Sequence, residues 1–319
     1  MDTLYDVVAL GELLIDFTQN GQSGQGNPLF EANPGGAPCN VLAMLEKLWN
    51  KTAFIGKVGD DFFGHQLKGA LKEIGIDTSY LYMDKKIHTT LAMVHTFPDG
   101  DRDFSFYRNP GADMMLSADE IPDGIISKSG IFHFGTLSMT HEGVRAATKK
   151  ALKIAKENKV LVSFDPNLRP PLWESMEDAR EQVLYGLDFC DILKISDNEI
   201  QWLTGKKDFD EGAEWIQERY SGISLILVSM GKDGSRAYYN GTKAEMPAFI
   251  RNDTIETTGA GDTFCGCVLH YVSAHGLDGL SEDNLKEMLE FANAAAALVT
   301  TRKGALRVMP SREEIALLY

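Results

Sequence analysis

Apolar residues along this chain gather into short continuous runs that alternate with stretches in which they recur every three or four positions. The first run, residues 7–16, is broken by Gly11 and ends in the carboxylate of Asp16, so it reads as a buried strand delivering Asp16 to a site. Runs of the same kind recur at 52–58, 130–134, 160–165, 192–195 and 225–229. Helical spacing occupies 41–48, 63–74, 144–158, 179–185 and 212–220, between most of the strand runs. Strands alternating with helices predict an α/β fold with a mainly parallel central sheet covered on both faces.

One segment breaks the rhythm. Residues 91–97 and 103–107 are strand-like with no helix between them, and Pro98-Asp99-Gly100 carries turn chemistry. A hairpin cannot serve as a parallel crossover, so this segment is expected to leave the main sheet as a small β lid, joined by the stretch after Asp16. Gly21 to Gly26 reads as a flexible loop, not as a dinucleotide fingerprint. With no repeat or linker in view, the expectation is a single domain over 1–319, its lid formed by about 16–32 and 88–110.

Composition narrows the function classes. At 319 residues and 44% hydrophobic content the chain can bury a large core, and its net charge of −15 argues against a nucleic-acid partner, which needs a basic surface. Any polyphosphate must then be held by local positive potential, from backbone N–H groups, a few basic side chains or a metal ion. Cys39, Cys190, Cys265 and Cys267 form no C-x-x-C pair and read as buried thiols in a reducing compartment, not as a zinc site. His65, His88, His95, His133, His141, His270 and His275 lack metal-ligand spacing and read as structural or surface residues. No basic leader precedes an apolar segment and no run is long enough to span a bilayer, so a cytoplasmic protein without membrane contact is expected.

The chemistry concentrates at Thr257-Thr258-Gly259-Ala260-Gly261-Asp262-Thr263-Phe264. Two glycines around a small alanine leave the main-chain N–H groups open to an anion, and the helical spacing that follows adds a favourable dipole. Asp262 beside such a hole is either a helix cap or a base for a hydroxyl that attacks phosphate. There is no G-x-x-x-x-G-K-[ST] loop and no G-x-G-x-x-G after the first strand, which argues against a P-loop kinase and a Rossmann dehydrogenase.

Together with Gly35-Gly36-Ala37-Pro38-Cys39-Asn40, residues 56–64, Asp165-Pro166-Asn167-Leu168-Arg169-Pro170 and residues 228–234, this segment resembles the ribokinase-like (PfkB-type) carbohydrate kinases over nearly the whole chain. Residues 106–113 and 165–173 make it most similar to fructokinases. The resemblance implies a three-layer α/β/α sandwich with a small β-strand lid, and transfer of the γ-phosphoryl group of ATP, with Mg2+, to a primary sugar hydroxyl. Fructose is the first acceptor; 2-keto-3-deoxygluconate and ribose are the alternatives, and a kinase-fold regulator without chemistry is the alternative of another class.

It also implies roles for individual residues. Asp262 matches the base, and Gly259, Ala260 and Gly261 the anion hole. Asp16, Gly35, Gly36 and Asn40 match sugar-binding positions, joined by Tyr107 and Arg108 on the lid and by Arg169. Lys194, Ser229, Gly231, Gly234 and Asn293 fall at nucleotide positions. Glu199 matches a residue that organises magnesium through water, although its companion is Ser196 where the family pattern has asparagine. Glu256 replaces an aspartate that in the family helps hold a monovalent cation such as K+, and its extra methylene would displace that carboxylate. Aromatic residues of the lid, Phe97, Phe104 and Phe106, either pair two lids in a homodimer or close over the chain's own site.

Overall fold

The structure, a computed structural model, describes residues 3–96 and 102–319. The expected Pro98-Asp99-Gly100 turn and Phe97 lie outside the described residues. The strands are β1 (Tyr5–Leu10), β2 (Leu14–Gln22), β3 (Pro28–Gly35), β4 (Thr52–Gly59), β5 (Asp77–Asp84), β6 (Leu91–Thr96) and β7 (Arg102–Tyr107). There follow β8 (Ser129–Gly135), β9 (Leu161–Asp165), β10 (Ile192–Ser196), β11 (Leu225–Ser229), β12 (Ser235–Tyr239) and β13 (Thr242–Met246). The helices are α1 (Ala37–Lys47), α2 (Phe62–Ile74), the short α3 (Asp123–Ile126), α4 (Glu142–Glu157) and α5 (Met176–Leu187). The later ones are α6 (Asp197–Thr204), α7 (Phe209–Arg219), α8 (Ala260–His275), α9 (Glu282–Val299) and α10 (Arg312–Ala316).

Nine strands form the central sheet in the order β13-β12-β11-β10-β9-β8-β1-β4-β5, and four form a second sheet in the order β3-β2-β6-β7. Every neighbouring pair from β11 to β5 is parallel, while β12 and β13 add an antiparallel edge. Burial explains the layering. Val7 and Ala9 of β1 enter one apolar cluster and Val8 and Leu10 the other, the alternation of a strand covered on both faces. α1, α2, α8 and α9 supply the first cluster, and α4, α5, α6 and α7 the second. The result is a three-layer α/β/α sandwich with a small extra sheet, the architecture that the resemblance implies.

Three local expectations are corrected. Residues 7–16 are not one strand: the chain leaves the central sheet after Leu10 and starts β2 of the small sheet at Leu14, so Asp16 belongs to the small sheet. A side chain at Gly11 would place its Cβ 2.6 Å from Pro38, which is why a glycine stands where α1 packs against the break. The stretch 21–26 is not all loop, because β2 continues through Gln22, which pairs with Pro28 after a register shift. Finally, β5 and the β12–β13 hairpin were not among the expected strands.

Candidate active site

In the central sheet the chain runs outward from β1 through β4 to β5 and then resumes with β8 at the other edge of β1. A crevice opens beyond the carboxyl ends of parallel strands where the order reverses in this way. Glu12 after β1, Leu137 after β8, Asn167 and Arg169 after β9, and Lys194 from β10 line a cavity of about 310 Å³ there. Asp16 of the small sheet, Gly36 and Asn40 at the start of α1, and Gly259, Gly261 and Asp262 at the start of α8 complete it.

Local sequence accounts for each wall. Gly259 has φ 77° and ends the chain's approach to α8; a Cβ there would lie 2.6 Å from that of Ala305, so only glycine turns the chain here. Gly36, at φ 128°, lets α1 begin against the backbone of Glu12, and Gly35 leaves space for the Asp16 carboxylate. The Glu12 side chain accepts from the Ala37 amide at 2.8 Å, and burial pushes its carboxyl up to about 7.

Asp262 is buried in the first turn of α8. Asn40 Nδ2 donates to its Oδ2 at 2.8 Å and Asn167 Nδ2 approaches its Oδ1 at 3.4 Å. Burial raises the Asp262 pKa above the usual carboxylate range, opposed by the Asn40 hydrogen bond and the charges of Lys194 and Arg169. Lys194 is buried with its Nζ 2.9 Å from Asp165 Oδ2; burial disfavours its charge, but Asp165 and Glu199 outweigh that and hold it protonated. A Cβ on Gly261 would lie 3.2 Å from Lys194 Nζ, so a fixed cation lies against the glycine turn. His133, below the cavity, bonds Ser163 through Nδ1, and burial lowers its pKa to about 3, leaving it neutral.

A second cavity, of about 410 Å³, shares Thr257 and Gly261 with the first and extends under α9. Phe249, Ala296 and Ala297 give it an apolar wall, and Ser229, Gly231 and Gly234 form its rim. Gly231 at φ 55° and Gly234 at φ 95° shape that rim.

The structure therefore gathers Asp16, Gly36, Asn40, Arg169, Gly259, Gly261 and Asp262 around one cavity and Ser229, Gly231, Gly234, Ala260 and Asn293 around the other. Lys194 faces the first cavity, not the nucleotide-sized second one. Asn293 is spoken for: it accepts from Ser235 Oγ and donates to the carbonyls of Met246 and Pro247.

The expected sugar-binding residues Tyr107 and Arg108 lie outside both cavity walls. Tyr107 is 66% exposed and lines neither cavity. Arg108 is buried in an ion pair with Asp113 and donates to Thr140 Oγ1 and the Leu137 carbonyl, so its guanidinium braces the cavity wall from behind. Phe106, the residue before Tyr107, reaches the first cavity from the small sheet, as do Leu14 and Asp16. Strand alternation could have found it, since neighbouring positions on β7 face opposite ways.

Glu199 closes a capping box with Ser196 and accepts from the Leu168 amide at 2.7 Å, outside both cavity walls. Among the described residues no group of three His, Cys, Asp or Glu side chains could hold a metal ion. Glu256 accepts from the Gly304 amide at 2.8 Å and lines a water-sized cavity of about 10 Å³ that also touches Asp16, Thr18 and Asn33. Glu12, Thr257, Thr258 and Asn167 were not expected as site residues. A carboxylate straight after an apolar run was the available signal for Glu12, as the Asp-Pro-Asn turn at a strand end was for Asn167.

An α/β sandwich with a buried carboxylate and a glycine turn at the junction of a polar and an apolar cavity defines a small-molecule kinase. The chain belongs to the pfkB family of carbohydrate kinases, whose sequence profile matches residues 5–312. It is 41% identical over 307 residues to a probable fructokinase-2 of Arabidopsis thaliana, covering 96% of this chain and 93% of that one. Its fold is similar to a fructokinase double mutant from Vibrio cholerae O395 bound to fructose, ADP and a potassium ion. The TM-score is 0.89 at 28% identity, covering 100% of this chain and 99% of that one. A protein from E. coli provisionally designated ribokinase II, in complex with ATP and Mg2+, superposes at a TM-score of 0.86 with 26% identity, covering 99% of each chain. Among the described residues no helix is long and apolar enough to cross a membrane.

Proposed function

We propose that this chain is a fructokinase, transferring the γ-phosphoryl group of ATP to the primary hydroxyl of fructose to give fructose 6-phosphate and ADP. The observation that carries the reading is the place of Asp262, buried in the first cavity one residue beyond Gly261, where the two cavities meet. Asp262 takes the hydroxyl proton, the hydroxyl oxygen bonds to phosphorus, and the bond from phosphorus to the β-γ bridging oxygen breaks with ADP as leaving group. Asp16 and Asn40 offer acceptors for sugar hydroxyls, and Asn40 Oδ1 is buried without a hydrogen-bond partner among the described residues. The Gly259 to Gly261 turn and Lys194 offset the charge of the transferred group.

The cations fit unequally. Mg2+ usually rides on the triphosphate and needs few protein carboxylates, so the absence of a preformed carboxylate cluster among the described residues suits it, and it would supply charge neutralisation there. Glu199, with both oxygens engaged by protein donors, is left to act on it through water. For K+, one oxygen of the Glu256 carboxylate already accepts from the Gly304 amide, so Glu256 has only its other oxygen free of that contact to offer. We assign no step to K+.

The small sheet acts as the lid, with Leu14, Asp16 and Phe106 its contributions to the cavity. Its exposed Leu29, Phe30 and Tyr107 support a homodimer through this sheet. Four free, buried thiols accord with a cytoplasmic location.

Steady-state assays of the purified chain with ATP and fructose, ribose or 2-keto-3-deoxygluconate test the assignment. Fructose is expected to give a kcat/KM at least about tenfold above the others. An equal or higher value for another sugar moves the acceptor. No turnover with any of them returns the chain to the regulator reading.

A further inference from the structure

Resting on the reading of Asp262 as the base, we infer that Asn167 is a positioning residue that holds one oxygen of the Asp262 carboxylate while Asn40 holds the other. An ionised carboxylate only accepts hydrogen bonds, so both amides must present their NH2 groups to it. Asn40 reaches Oδ2 from α1 at 2.8 Å, and Asn167 reaches Oδ1 from the loop after β9 at 3.4 Å. The two donors come from different elements, and Asp262 itself is carried by a third, α8. Rotation of the carboxylate about χ2 lengthens at least one of these contacts, so the pair selects one orientation. Asn40 Oδ1, buried without a hydrogen-bond partner among the described residues, then remains as an acceptor beside the carboxylate.

The loop is built to present Asn167. Its φ of 42° lies in the left-handed region, which asparagine tolerates better than most residues but which is strained for any side chain. That conformation is held on every side. The Asn167 amide donates to Asp165 Oδ1 at 3.1 Å, and the carbonyl of Pro166 accepts from the amide of Thr136 at 3.2 Å and from its hydroxyl at 2.5 Å. The Asn167 and Leu168 carbonyls accept from Arg169, and the Leu168 amide is tied to Glu199. Glycine could adopt the same backbone conformation without strain, and what it cannot supply is the amide.

The groups facing Asp262 are Lys194 of β10, Asp165 of β9, Arg169 of the loop, Glu12 after β1 and Cys265 on α8 itself. Against that background, a donor to the charged carboxylate favours ionisation, and losing it shifts titration upward.

The test compares Asn167→Gly, which keeps the turn and removes the amide, with the near-isosteric Asn167→Asp, which tolerates the same φ and replaces the amide with a second carboxyl that adds like-charge repulsion at Asp262. For both, kcat is expected to fall about ten- to a hundredfold. The KM values for fructose and ATP are expected to stay within about twofold, with the acid limb of the kcat profile moved to higher pH. Carbon-13 titration of the Asp262 carboxyl in the ligand-free protein, identified by its loss in Asp262→Asn, is expected to move the same way. A folded Asn167→Gly with kcat within about twofold of the parent, or an unmoved Asp262 titration, overturns the inference. If Asn167→Gly does not fold, Asn167→Asp with parental kcat and titration does so equally. Because the titration needs no substrate, it decides this point even if no sugar is phosphorylated and the fructokinase reading falls.

Discussion

The two cavities that meet at Thr257 and Gly261 are of similar size and opposite character. The first is walled by the buried ionisable groups Glu12, Lys194 and Asp262 and the half-buried Asp16, each held by other parts of the chain. The second is walled by Phe249, Ala296 and Ala297 and rimmed by glycines, with its one buried amide, Asn293, occupied by protein partners. The difference teaches how the work is divided. A site that must move a proton keeps charges at low dielectric, where small displacements change energies greatly. A site that must only seat a flat aromatic base needs shape, close backbone approach and few polar groups.

Substitutions on the two sides should therefore fail differently. The largest effect is expected for Asp262→Asn, which removes the base and keeps the shape: kcat falls by about 10²- to 10⁴-fold while the dissociation constant for ATP stays within about twofold. Calorimetric titration with ATP alongside initial rates would read both, and near-parental turnover would end the assignment of the base.

A smaller effect, on stability, is expected at Glu12. Its carboxyl is raised from 4.5 to about 7 by burial, so the native state binds this proton more tightly than the unfolded chain does. The stabilisation that follows is complete below the unfolded value and is lost as pH rises through about 7. Glu12→Gln keeps an acceptor for the Ala37 amide without the ionisation, so its advantage in unfolding free energy should grow by about 2 kcal/mol from pH 5 to pH 8. Denaturant melts at both pH values would check it, and a constant difference would mean that Glu12 titrates normally.

The smallest effect is expected in the apolar cavity. Ala297→Leu fills part of it and should raise the KM for ATP about tenfold, leaving kcat and the fructose KM within about twofold. A collapse of kcat there would show that the two cavities are not separable in function.

Much of this division could be read in the chain before its fold was known, for identifiable reasons. Long apolar runs separated by helical spacing specify parallel strands buried on both faces, and glycine turns beside a carboxylate mark phosphate chemistry through steric need. What was missed depended on neighbours distant in sequence. Gly11 breaks the first run because Pro38 of α1 packs there, and nothing within residues 7–16 announces that contact. Arg108 matched a sugar-binding position through the resemblance, but its guanidinium pairs with Asp113, a neighbour only five residues on, and donates to Thr140 and Leu137 farther along the chain. The β12–β13 hairpin was a different kind of omission. Asn240 at φ 46° and Gly241 at φ 79° make the turn that an Asn-Gly pair specifies, so the signal was local and legible.

The break after Gly11 has a further consequence. The ends of β2 at Leu14, β3 at Gly35, β6 at Leu91 and β7 at Tyr107 all lie where the small sheet joins the rest of the chain, and Leu14 pairs with Gly35 and Leu91 with Tyr107. The sheet is thus a cantilever whose root is the catalytic crevice and whose tip carries the Ser23 to Asn27 turn. Changes of length or composition at the tip lie several residues along β2 and β3 from Asp16 and its register partner Asn33. The same changes at the root would tilt that carboxylate directly, so variation in this sheet should be cheap at one end and costly at the other.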